Sequence, residues 1–81
     1  MTVRVLIFAY LAEQVGAGTL QLELSDNATV ADAMAELGHR YSAIEQMRPR
    51  LAVSVNHEYV QAHHGLSEGD ELALIPPVSG G

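Results

Sequence analysis

The sequence holds no cysteine, no lysine and no tryptophan among its 81 residues. Without cysteine there is no disulfide, no thiolate metal site, and no side chain able to carry sulfur as a persulfide or to form a thioester. Without lysine there is no ε-amine for an isopeptide bond, which leaves the N-terminus as the only expected amine. Positive charge is confined to Arg4, Arg40, Arg48 and Arg50, set against ten acids for a formal net charge of −6. That balance excludes a basic nucleic-acid footprint and favours basic protein partners. Long apolar runs are missing too. The stretch Val5 to Tyr10 is short and lacks a cleavage pattern, so no signal peptide is expected, and nothing approaches membrane-spanning length. A cytoplasmic location is expected, with neither nucleic acid nor membrane as a partner.

What is present suits one small domain with an aliphatic core, near the lower size limit for a fold without staples. Val3 to Ala9 reads as a strand, with Val3, Val5 and Ile7 inward and Arg4, Leu6 and Phe8 on the opposite face. Leu11 to Val15 predicts a short helical turn, ended by Gly16 and Gly18. Thr19 to Leu24 alternates strictly, with Leu20, Leu22 and Leu24 on one face, and pairs with the first strand in a hairpin. Thr29 followed by Asp32 predicts a helix N-cap with an acid in the first turn. The helix then spans about 30–41, with Val30, Ala33, Met34, Leu37 and Tyr41 in one apolar stripe. Gly38 either ends it or sits inside it at a cost of about 1 kcal/mol. Ser42 to Arg50 reads as a connection. Leu51 to Val55 is a third strand, Asn56-His57 a tight turn into Glu58-Tyr59-Val60, and Glu68-Gly69-Asp70 a turn launching the last strand, Glu71 to Ile75. The order predicts an α+β domain with one main helix across one face of the sheet.

Side chains offer little chemistry. The four histidines are scattered: His39 on the polar side of the helix, His57 at a hairpin tip, and His63 and His64 adjacent in a loop, where they point apart. No metal site, nucleophile–base pair or phosphate loop is predicted. The outer sheet face is more informative, because strand parity puts Phe8 and Ile75 there and Tyr59 can join them. Such a cluster is the kind of apolar patch that marks a partner surface. Parity alone leaves open the alternative that one of them tucks under a loop and closes the core.

The end of the sequence carries the sharpest signal. Residues 1–75 read as a compact domain, and 76–81 as an extended tail, Pro76-Pro77-Val78-Ser79-Gly80-Gly81. The prolines fix φ and lack N–H groups, which stiffens the stem. Gly80 and Gly81 have no Cβ, so the terminal carboxylate can approach another protein closely. Terminal glycines are also what a frayed end looks like. Here, however, the apolar run Leu72 to Ile75 feeds straight into the tail.

Val5-Leu6-Ile7-Phe8-Ala9, Ala52-Val53-Ser54-Val55-Asn56-His57-Glu58-Tyr59-Val60 and Glu68-Gly69-Asp70-Glu71 through to Pro-Pro-Val-Ser-Gly-Gly resemble the molybdopterin synthase small subunits of the MoaD/ThiS sulfur carriers, over essentially the whole chain. The resemblance implies a ubiquitin-like β-grasp fold with a mixed sheet. It implies that an E1-like adenylyltransferase uses ATP to make a glycyl-adenylate of the Gly81 carboxylate, and that a sulfur donor protein converts this to a thiocarboxylate, a C-terminal 1-thioglycine. It implies no stably bound cofactor. The tail 76–81 then enters the large subunit of a heterotetrameric synthase. That subunit supplies the catalytic side chains and holds cyclic pyranopterin monophosphate, which receives the sulfur for molybdenum cofactor biosynthesis. By position, Phe8, Tyr59 and Ile75 fall on the family's partner-binding surface. The chain departs from the family after the first strand, where Tyr10-Leu11-Ala12-Glu13 stands in place of arginines.

Three other functions compete. A thiazole (thiamine) carrier shares the chemistry with a different acceptor, although such chains are typically shorter and lack Pro-Pro-Val-Ser. A ubiquitin-like protein modifier would form an amide between Gly81 and a target lysine. A binding module would have an inert tail.

Overall fold

The alternation of the first strand, β1 (Thr2–Ile7), is realised as burial: Val3, Val5 and Ile7 are inside and Arg4 is exposed. The computed structural model describes residues 1–77. The strand ends at Ile7, two residues short of expectation, because Phe8 is the N-cap of α1 (Ala9–Val15). That helix is longer than the turn expected from Leu11 and Val15. It stops at Gly16, whose φ of 90° is the left-handed conformation a helix C-cap takes, with its N–H on the Ala12 carbonyl. β2 (Thr19–Glu23) then returns antiparallel to β1 with Val3 opposite Leu22.

The main helix, α2 (Val30–Arg40), starts where the Thr29/Asp32 spacing predicts. Thr29 Oγ1 accepts from the Asp32 N–H at 3.3 Å, and Asp32 Oδ2 accepts from the Thr29 N–H at 2.9 Å, a closed capping box. Val30, Ala33, Met34 and Leu37 are buried against the sheet. Gly38 proves to be an interior residue. A Cβ there would lie 2.7 Å from Glu45 Oε1, the tip of a flexible side chain from the segment that packs back against the helix.

That segment corrects the expected connection over 42–50. It is α3 (Ser42–Met47) followed by a 3₁₀ turn (Arg48–Arg50). Ile44 is its single fully buried anchor. Six residues with one buried position carry too little periodicity to read as a helix, and packing rather than propensity forms it.

The remaining strands are β3 (Ala52–Val55), β4 (Glu58–Tyr59) and β5 (Glu71–Ile75). The sheet order is β2-β1-β5-β3-β4, with β1 and β5 parallel and the other pairs antiparallel. A mixed five-stranded sheet in this order, crossed on one face by α2, is the ubiquitin-like β-grasp fold. Asn56 and His57 both have positive φ, 51° and 72°, as a two-residue type I′ turn requires. The loop after β4 is tied to the start of α2: Ala31 and Val30 donate to the Ala62 and His64 carbonyls at 2.8 and 2.9 Å.

Candidate functional site

One row of residues crosses four strands on the face opposite α2: Leu6 opposite Ala73, Ala73 opposite Ser54, and Ser54 opposite Tyr59. The two central residues are small and the outer two are large, so the row makes a trough. Its volume is about 230 Å³, and it is lined by Leu6, Phe8, Ser54, His57, Tyr59, Glu71, Ala73 and Ile75. Phe8, Tyr59 and Ile75 are thereby brought together, as parity suggested. Phe8 is 46% exposed and Tyr59 75% exposed, so neither closes the core; Ile75 is half-buried.

The trough has two unlike ends. Ile75 forms the apolar end, at the last residue of β5. Glu71 forms the polar end, ion-paired with Arg4, while His57 Nε2 lies 3.6 Å from Glu71 Oε1. These contacts are partly exposed and contribute at most about 1 kcal/mol each to stability. Their effect is to place charge at one end of an apolar slot.

The turns at that polar end are locked together. Asp70 Oδ2 accepts from the Ser67 N–H at 2.8 Å, and Asp70 Oδ1 accepts from Asn56 Nδ2 at 2.9 Å. Asn56 Oδ1 in turn accepts from the Glu71 N–H at 3.0 Å. The Asn56-His57 and Gly69-Asp70-Glu71 motifs are therefore two halves of one clamp, which sets the β5–β3 register and so the shape of the trough.

The chain leaves the trough through Pro76, which is buried, and Pro77, which is exposed. Val78, Ser79, Gly80 and Gly81 lie outside the described residues. The sequence reading missed Leu6, Ser54 and Ala73 as lining residues. Parity put Leu6 and Ala73 on the correct face, but only the cross-strand register makes them neighbours. A second hollow of about 350 Å³, between the start of α2 and β3, contains Tyr59 but neither Phe8 nor Ile75. Among the described residues, no group of three or more His, Asp or Glu side chains could hold a metal ion, and no helix is long and apolar enough to cross a membrane.

Residues 5–81 match the ThiS family. The chain is 36% identical to the molybdopterin synthase sulfur carrier subunit of Chlamydomonas reinhardtii, over 100% of both chains. It is also 36% identical to small archaeal modifier protein 1 of Haloferax volcanii, covering 93% of this chain and 95% of that one. The crystal structure of that modifier superposes with a TM-score of 0.90 at 34% identity over 100% of both chains. The relatives thus divide between two names, a sulfur carrier and a protein modifier, on one fold. The chain belongs to the ThiS family, a ThiS/MoaD-like β-grasp protein of the superfamily of sulfur carriers and ubiquitin-like protein modifiers.

Proposed function

We propose that this chain is a carrier whose Gly81 carboxylate is activated by adenylation on an E1-like enzyme, and that the trough around Phe8, Tyr59 and Ile75 docks the proteins that receive its tail. The observation that carries the reading is the continuity of the two parts. The apolar end of the trough is formed by Ile75, and the strand that supplies it runs on into Pro76 and the Gly-Gly terminus. A partner seated on the trough would meet the stem of the tail, and binding energy from the body would position a distant carboxylate.

Adenylation turns the carboxylate into an acyl-adenylate with pyrophosphate released, which supplies the leaving group that a bare carboxylate lacks. In the sulfur-carrier reading, hydrosulfide delivered by a sulfur donor protein attacks the acyl carbon and displaces AMP, which leaves Gly81 as a thiocarboxylate. The large subunit of molybdopterin synthase then takes the tail, residues 76–81, and passes the sulfur to cyclic pyranopterin monophosphate. Seven molybdopterin synthase sulfur carrier subunits from plants, animals, an amoeba and bacteria, each 32–36% identical to this chain, support this acceptor.

The second reading uses the same chemistry, and the structural likenesses favour it over the molybdopterin acceptor. An amine of another protein displaces AMP or the sulfur and takes the Gly81 acyl group as an amide. Full-length likeness to a small archaeal modifier at a TM-score of 0.90 favours it. The absence of lysine suits a modifier attached singly, since the chain offers no ε-amine to a second copy. A thiazole-pathway acceptor fits the family match equally.

Intact-mass measurement after incubation with an adenylating enzyme, ATP and a sulfur source tests the shared step. One oxygen should be replaced by sulfur in the C-terminal peptide. Deleting Gly81 shortens the tail by roughly 3.3–3.6 Å and should abolish the change while leaving the fold intact. A parental rate in the truncated chain would remove the requirement for reach to Gly81, and no mass change in the full chain would return the inert-tail reading. In cells, covalent adducts to lysines would select the modifier, and restored molybdopterin synthesis in a strain lacking its own carrier would select the sulfur carrier.

A further inference from the structure

Three of the four arginines are held by carboxylates of the same chain: Arg4 by Glu71, Arg40 by Glu36 at 3.4 Å and Arg48 by Glu45 at 3.1 Å. Arg50 is exposed and, among the described residues, has no carboxylate partner. Its Nη2 lies 3.6 Å from Met47 Sδ, and the Tyr10 hydroxyl lies 3.7 Å from the same sulfur. A thioether is a weak acceptor, so these contacts orient the guanidinium while leaving most of its five donors unused. Tyr10 itself is 42% exposed. A rigid aromatic beside an oriented, unspent guanidinium is the composition enriched in protein interfaces.

The location of this group gives it a role. Ala52 pairs with Ile75, and Ile7 pairs with Leu74, so Arg50, Phe8 and the root of the tail lie at the same end of the sheet. Glu23, Asp26, Glu58, Glu68, Asp70 and Glu71 belong to the strand ends and turns at the other end. An acidic protein thus carries its one uncommitted cation, among the described residues, beside the place where its tail departs.

We propose that Arg50, with Tyr10 and Met47, docks a carboxylate-bearing rim on the adenylating enzyme and thereby sets the orientation in which that enzyme meets the tail. The claim rests on the reading that the tail is presented to such an enzyme. A partner with carboxylates at its tail entrance is drawn to Arg50 and repelled by Glu23, Glu58, Glu68 and Asp70 at the far end, where Glu71 and Asp26 are ion-paired with Arg4 and the N-terminus, which selects one of the two ways of laying the trough on a surface. Arginine also suits the task by geometry, since its planar fork can grip a carboxylate through two parallel hydrogen bonds.

The test is the association rate of the full chain with its cognate adenylating enzyme, measured by stopped flow at low and high salt for Arg50→Glu, Arg50→Lys and the chain lacking Gly81. Arg50→Glu should slow association on the order of tenfold at low salt and flatten its salt dependence. Arg50→Lys should recover much of the rate but less of the residence time, because a point charge replaces a fork. Melting temperature should be that of the parent in both. The chain lacking Gly81 should associate at the parental rate yet fail to be adenylated. Parental association and salt dependence in Arg50→Glu would overturn the docking claim whatever the fate of Gly81. Failure of the parent chain itself to be adenylated would overturn the carrier reading and leave the association data to judge Arg50. A change in self-association of Arg50→Glu by sedimentation, with association to the enzyme unchanged, would assign the site to a second copy of the chain and also overturn the claim.

Discussion

The two faces of the sheet are built from the same strands, and they differ in every physical respect. On the inner face Val3, Val5, Ile7, Leu22, Leu72 and Leu74 are sealed under α2, each at most 3% exposed. On the outer face Phe8 and Tyr59 stand in solvent around a trough floored by Ala73 and Ser54. An apolar side chain is therefore not by itself a mark of the core in this molecule: Phe8 and Tyr59 differ from Val5 and Leu74 in lying on the face that α2 does not cover. The inner face supplies stability through area removed from water, whereas the outer face leaves Phe8 and Tyr59 exposed to it.

Substitutions that fall on one face should leave the other function untouched. Leu22→Ala, on the sealed face, should have the largest effect, a loss of about 2–5 kcal/mol in urea unfolding, since it removes a fully buried side chain and leaves a cavity. Phe8→Ser, on the open face, should weaken binding of the adenylating enzyme by roughly tenfold or more in calorimetry while the unfolding midpoint stays near the parental value. If Phe8→Ser unfolds the chain instead, the two faces share one core and the contrast collapses. Thr29→Ala removes the cap that anchors the covering helix and should cost about 1 kcal/mol without altering partner binding. His57→Gly relieves a left-handed non-glycine residue at the trough's rim and should stabilise the chain by up to about 1 kcal/mol, read as a rise in unfolding midpoint. The smallest effect should come from Gln21→Ala. It lies next to Leu22 but faces outward, and its midpoint should stay within about 0.5 kcal/mol of the parent. Equal losses at Leu22 and Gln21 would reverse the assigned register.

Legibility varied along the chain for physical reasons. Leu20, Leu22 and Leu24 announce a half-buried strand because the strand period is two and one face is wet. Thr29 and Asp32 announce a helix start because a capping box is made entirely within four residues. Asn56 supports its turn in the same local way. Ser42 to Met47 announces nothing, since its helix depends on Ile44 finding the core. The candidate site followed the same division. Phe8, Tyr59 and Ile75 were readable as outward-facing, whereas their trough and the meeting of Tyr10 with Arg50 on Met47 were not.

The sequence by itself determined the chemistry open to this protein: no thiol, no lysine, a net negative charge, and two prolines ahead of Gly80 and Gly81. It also determined the periods of its strands and main helix and the places where they begin. Only the tertiary structure decided that Leu6, Ala73, Ser54 and Tyr59 form one row across four strands, and that the tail's root shares an end of the sheet with Arg50. Local patterns fix which side of a strand a residue faces. Which residue it faces depends on pairings such as Leu6 with Ala73, separated by most of the chain, and these form only when a single core satisfies every strand at once.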